Sequence, residues 1–118
     1  MAQGANHPVP TISTHVLDTE RGTPAVGVHV TLYRIADDGR PFRLTQALTD
    51  SDGRVRDLLE RPLTAGEYRL EFDLVGGEDE EAPFFSRLAV DLSITDVGRS
   101  YHVPLLLAPY SMTTYRGS

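Results

Sequence analysis

The sequence has four histidines, His7, His15, His29 and His102, and no cysteine. Imidazole is the side chain that titrates near neutral pH, so proton transfer is the chemistry these residues favour. Without cysteine, disulfides, thiolate nucleophiles and cysteine metal sites are excluded. Asp, Glu, Ser, Tyr and Arg complete the set of candidates. No HxH or HxxxH pair is present, so a metal would need ligands from distant strands or subunits, and none is expected. The GxSxG elbow, the P-loop and the GxGxxG loop are also missing. Asp50-Ser51-Asp52-Gly53 starts like a calcium loop but lacks the closing Glu, and reads as a tight turn.

Placing the histidines requires the elements that carry them. Tyr68, Leu70, Phe72 and Leu74 alternate with Glu67, Arg69, Glu71 and Asp73. Leu88, Val90, Leu92 and Ile94 alternate in the same way with Ala89, Asp91, Ser93 and Thr95. Alternation puts one face of a strand in a core and the other in water. Val26, Val28, Val30 and Leu32 mark another strand, and Phe42, Leu44 and Leu48 a further one. Residues 12–18 and 101–107 are also strand candidates.

Turn residues separate these runs: Glu20 to Pro24, Asp37 to Pro41, Asp50 to Gly53, Thr64 to Gly66, Val75 to Gly77 and Asp96 to Gly98. Residues 78–82 form an acidic loop or a single helical turn. The pattern predicts an all-β antiparallel sandwich or barrel with at most one short helix.

His15 has the opposite parity to Ile12, Thr14 and Val16, and His102 to Tyr101, Val103 and Leu105. With those apolar residues in the core, both histidines face outward. An outer face carrying His102, Pro104 and Leu106 is apolar enough to suggest a protein interface. Pro104 lacks a ladder donor, so its strand needs an edge, a bulge or a local gap there. His29 reads as a surface or interface position, and His7 belongs to the tail 1–10, expected to be disordered.

The chain of 118 residues is 40% hydrophobic and 24% charged, with a net charge of −6. One domain, residues 11–118, is expected. The acidic balance argues against nucleic acid as a partner. No apolar run is long enough for a bilayer, and no signal peptide is expected.

Four stretches together resemble the transthyretin-related 5-hydroxyisourate hydrolases. They are Ile12-Ser13-Thr14-His15-Val16-Leu17-Asp18-Thr19 with Gly22-Thr23-Pro24-Ala25, then Thr49-Asp50-Ser51-Asp52-Gly53-Arg54, then Tyr101-His102-Val103-Pro104-Leu105-Leu106-Leu107, and last Tyr115-Arg116-Gly117-Ser118. The resemblance implies a transthyretin-like β-sandwich assembled as a homotetramer, a dimer of dimers, with sites at the dimer–dimer interface. It implies hydrolysis of 5-hydroxyisourate to 2-oxo-4-hydroxy-4-carboxy-5-ureidoimidazoline in urate degradation, without cofactor or metal, and a cytoplasmic location is favoured.

Carried onto this chain, the catalytic set is His15, Arg54, His102 and Ser118, with Arg54, Tyr115, Arg116 and Gly117 binding substrate. One histidine would activate water while the other orients substrate or assists proton transfer; which does which stays open. The arginines would hold an anionic substrate and stabilise the tetrahedral intermediate. Ser118 would position water or substrate through its hydroxyl or its carboxylate. Met112 stands where many members have an aromatic residue. Two competing readings remain: a non-enzymatic carrier of a small aromatic ligand, and an immunoglobulin-like interaction domain.

Overall fold

The computed structural model describes residues 9–75 and 83–117. His7, most of the expected tail, the acidic segment 78–82 and Ser118 lie outside the described residues. Nine strands run in chain order: β1 (Ile12–Asp18), β2 (Thr23–Pro24), β3 (His29–Ile35), β4 (Pro41–Leu48), β5 (Arg54–Val55), β6 (Gly66–Asp73), β7 (Arg87–Ile94), β8 (Tyr101–Ala108) and β9 (Ser111–Thr114). There is no helix among the described residues. The strands form two sheets. One has the order β2-β1-β8-β9, with β5 also paired to β1; the other has the order β4-β3-β6-β7. All pairings are antiparallel except β1–β8, which is parallel.

The core lies between the sheets, as alternation requires. One sheet contributes Ile12, Val16, Tyr101, Val103 and Leu105; the other contributes Val30, Leu32, Tyr68, Leu70, Phe72 and Ile94. Each such side chain contributes about 1.5–3 kcal/mol on burial. The connection from β5 to β6 adds Leu58, Leu59 and Leu63, which seal one end of the core although they belong to no strand. Buried Thr14 satisfies its hydroxyl on the Val103 carbonyl, 2.6 Å away. Buried polar groups that keep a partner avoid the desolvation penalty.

Two expected strands differ in detail. The strand expected from Val26 begins only at His29. Gly27 has a φ of 77° and donates to the Thr49 carbonyl, so the chain turns there and leaves Val26 exposed. In β4 the register shifts opposite Leu32 and Tyr33: Leu32 pairs with Thr45 and Tyr33 with Arg43. Leu44 is the extra residue of this bulge, which breaks the alternation. Phe42 and Leu48 are exposed instead of sharing a buried face with Leu44.

Pro104 sits inside β8 between β1 and β9, beside a local gap. The β8–β9 ladder runs from Ala108–Ser111 to Leu105–Thr114, then resumes as a single bridge between His102 and Gly117. Opposite Pro104 no backbone amide pairs; its carbonyl accepts the Thr114 hydroxyl at 2.7 Å. The missing N–H of proline is tolerated because Tyr115 and Arg116 leave the ladder there.

Candidate active site

The outer face of the β1–β8 sheet carries the site. On β1, inward Ile12, Thr14 and Val16 alternate with outward Ser13, His15 and Leu17. The parallel register places Ser13 beside His102 and His15 beside Pro104. On the other side of β1, His15 pairs with Arg54 of β5. Three side chains separated by 39 and 48 residues in sequence thus come to one face through strand pairing.

The turn before β5 fixes that arrangement. The Asp50 carboxylate accepts the amides of Asp52 and Arg54 at 2.8 and 3.0 Å. These bonds, with the Arg54 amide foremost, hold the Asp50 carboxyl below its usual range. Gly53 has a φ of 76°, and a Cβ there would overlap the Val16 carbonyl oxygen, so the turn can lie against β1 only with glycine. The Val16 amide in turn donates to the Gly53 carbonyl at 2.7 Å. Asp52 is thereby presented to His15, whose Nε2–H donates to the Asp52 carbonyl at 2.8 Å.

His102 is half-buried, and its Nδ1 lies 2.9 Å from the Ser13 hydroxyl. Burial pulls its imidazole below the ordinary value, and the nearby Arg54 guanidinium and His15 add to the effect. The ring therefore stays neutral at physiological pH. Gly117 covers another edge of the ring: its amide donates to the His102 carbonyl at 2.7 Å, and a Cβ on it would sit 2.9 Å from Cδ2. Ser13, Thr14, Arg54, Val55, Arg56 and His102 line a hollow of about 240 Å³. An adjoining hollow of about 510 Å³ is lined by His15, Leu17, Pro24, Asp52, Arg54 and Arg56. Arg54 and Arg56 are common to both.

His15, Arg54, His102 and Gly117 are thus brought together within one chain. Tyr115 and Arg116 are not. They line a separate slot of about 310 Å³ between the sheets, along the β7 and β9 edges, with Val90, Leu92, Ile94, Tyr101 and Val103. Of the outer face expected to form an interface, Pro104 is buried and His102 and Leu106 are half-buried in the single chain. Sequence reasoning missed Ser13, whose role depends on the β1–β8 register, and the Asp52 carbonyl, a backbone group.

The two sheets and the two histidines on one outer face define a transthyretin-like sandwich carrying a polar site. The HIUase/Transthyretin family model matches residues 12–117, and the chain belongs to that family. A 5-hydroxyisourate hydrolase of Halalkalibacterium halodurans is 42% identical over 115 residues, covering 91% of this chain and 97% of the relative. The solved structure of Klebsiella pneumoniae 5-hydroxyisourate hydrolase is 36% identical with a TM-score of 0.76, covering 92% of this chain and 99% of that one. Transthyretin from Sparus aurata is 30% identical with a TM-score of 0.83, covering 93% and 97% of the two chains.

Proposed function

We propose that this protein hydrolyses 5-hydroxyisourate to 2-oxo-4-hydroxy-4-carboxy-5-ureidoimidazoline, a step of urate degradation, in the cytoplasm and without metal or cofactor. The observation that carries this reading is the convergence of His15, Arg54 and His102 on one outer face, at two adjoining hollows that share Arg54. Membership of the family and the hydrolase names of its relatives support the substrate.

The chemistry follows from the donor and acceptor inventory. A neutral imidazole with a free ring nitrogen takes a proton from water as the water oxygen attacks the ring carbonyl. Arg54, permanently charged and planar, stabilises the oxyanion of the tetrahedral intermediate. The carbon–nitrogen bond then breaks, and the imidazolium returns its proton to the departing ring nitrogen. Atoms and charge balance with water as the only co-reactant. His102 takes the base role because its Nε2 has no hydrogen-bond partner among the described residues, whereas His15 Nε2 is committed to the Asp52 carbonyl. His15 orients substrate or water through its other nitrogen.

The tail residues Tyr115, Arg116, Gly117 and Ser118 complete the cleft in a homotetramer, a dimer of dimers that encloses the outer face. Turnover of freshly oxidised urate, scored against spontaneous decay of the substrate, tests the reading. A carrier of the transthyretin type would leave that decay unaccelerated.

A further inference from the structure

We propose that Ser13 is a positioning residue for His102: its hydroxyl accepts Nδ1–H of the imidazole, so the Nε2 lone pair is the one presented to the hollow beside Arg54. The inference rests on the hydrolase reading for its kinetic consequence, but the tautomer it assigns can be read without turnover.

Three observations carry it. Ser13 and His102 are register partners across the parallel β1–β8 pair, and the oxygen–nitrogen distance is 2.9 Å, an ordinary hydrogen bond. The contact is partly buried, so water competes for it less than at an open surface. The hollow that His102 helps to line carries two donor-only groups, the guanidiniums of Arg54 and Arg56.

A neutral imidazole has one N–H and one lone pair. An N–H aimed at the Arg54 and Arg56 guanidiniums finds no acceptor on them, whereas a lone pair faces favourable positive charge. The proton therefore belongs on Nδ1, where the serine oxygen receives it. Gly117 restrains the ring from a different edge, since its backbone leaves no room for a Cβ beside Cδ2. Ser13 and Gly117 flank the ring on two edges, and a base held in place avoids part of the cost of ordering it in the transition state.

The test has a spectroscopic and a kinetic arm on the full-length protein. Nitrogen-15 correlation spectra of the imidazoles at pH 7.5 should show His102 as the Nδ1–H tautomer, its signals assigned by their loss in His102→Gln. Ser13→Ala should shift those signals towards a tautomer mixture. It should also lower kcat on freshly prepared 5-hydroxyisourate by about three- to tenfold, the worth of one neutral hydrogen bond, with KM little changed. Ser13→Thr, which keeps the hydroxyl and suits a strand, should restore both readouts. If Ser13→Ala does not fold, Ser13→Cys keeps the volume, weakens the acceptor and serves instead.

An Nε2–H tautomer in the wild type would overturn the proposal. So would a Ser13→Ala variant with unchanged tautomer, whatever its kcat. If the wild type fails to accelerate substrate decay, the hydrolase reading falls while the tautomer arm still decides the Ser13 assignment.

Discussion

His15 donates its Nε2–H to the Asp52 backbone carbonyl across 2.8 Å, and this contact leaves Nδ1 as its only nitrogen with a free lone pair. A carbonyl oxygen only accepts, so Nε2 of His15 is not available as a base. Nε2 of His102 has no such commitment among the described residues. His102→Ala should therefore cost roughly 100- to 10,000-fold in kcat, the usual worth of general base assistance. His15→Ala should cost less, with a larger share in KM. Steady-state assays of the two variants check this; a larger kcat loss at His15 would reverse the assignment.

The pH dependence follows from the environment of His102. Burial first, then Arg54 and His15, holds its imidazole below the ordinary 6.5. The base stays unprotonated to lower pH than a free imidazole would, so the acid limb of kcat/KM should lie below pH 6.5. Arg54→Met removes one cause and should move that limb upward. It should also lower the rate by about 100- to 1,000-fold through loss of the oxyanion donor. In stability, the unfolded imidazole binds its proton at higher pH than the folded one. The contribution is therefore present above about 6.5 and is lost as pH falls through the folded value. A limb that stays put in Arg54→Met would remove the guanidinium from the surroundings of His102.

The turn at Asp50–Gly53 gives a prediction about stability and activity together. Gly53→Ala forces a residue with a Cβ into a φ of 76° and against the Val16 carbonyl oxygen. The backbone conformation alone costs more than about 1 kcal/mol, and the overlap adds to it. The midpoint of thermal unfolding should drop by several degrees, and activity should fall with it. Asp52 and Arg54 flank Gly53, so relief of the overlap displaces the partner of His15 and the oxyanion donor together. A variant with wild-type unfolding and turnover would mean that the turn does not need glycine.

Strands that bury one face were legible because their chemistry repeats every second residue. β6 reads directly as Tyr68, Leu70 and Phe72, all inward, and the outward parity of His15 and His102 follows from Ile12, Val16 and Leu105. What escaped was set by contacts between distant segments. The bulge at Leu44 exists to match β4 to β3, and no local pattern announces it. Leu58 and Leu59 are as buried as any strand residue, yet they reach the core from a connection with no period. Two-residue β5 is too short to alternate. The pairing of Ser13 with His102 depends on the register between strands 89 residues apart, which the resemblance of motifs does not specify.

The C-terminal segment separates catalytic from structural loss. Among the described residues, no hydrophobic side chain after Met112 belongs to the core cluster, while the Gly117 amide bonds the His102 carbonyl and leaves no room for a Cβ beside its ring. A chain ending at Thr114 should therefore keep most of its thermal stability and fall close to the spontaneous rate of substrate decay. Gly117→Ala narrows the comparison, because it adds one methyl group 2.9 Å from His102 Cδ2 and leaves Tyr115, Arg116 and Ser118 in place. It should lower kcat by displacing the ring, with the unfolding midpoint little changed. Calorimetry, sedimentation and turnover on the same preparations distinguish the cases. Full activity in the truncated chain would show that the tail takes no part in the reaction, and full activity in Gly117→Ala alone would leave the tail a role other than restraining His102.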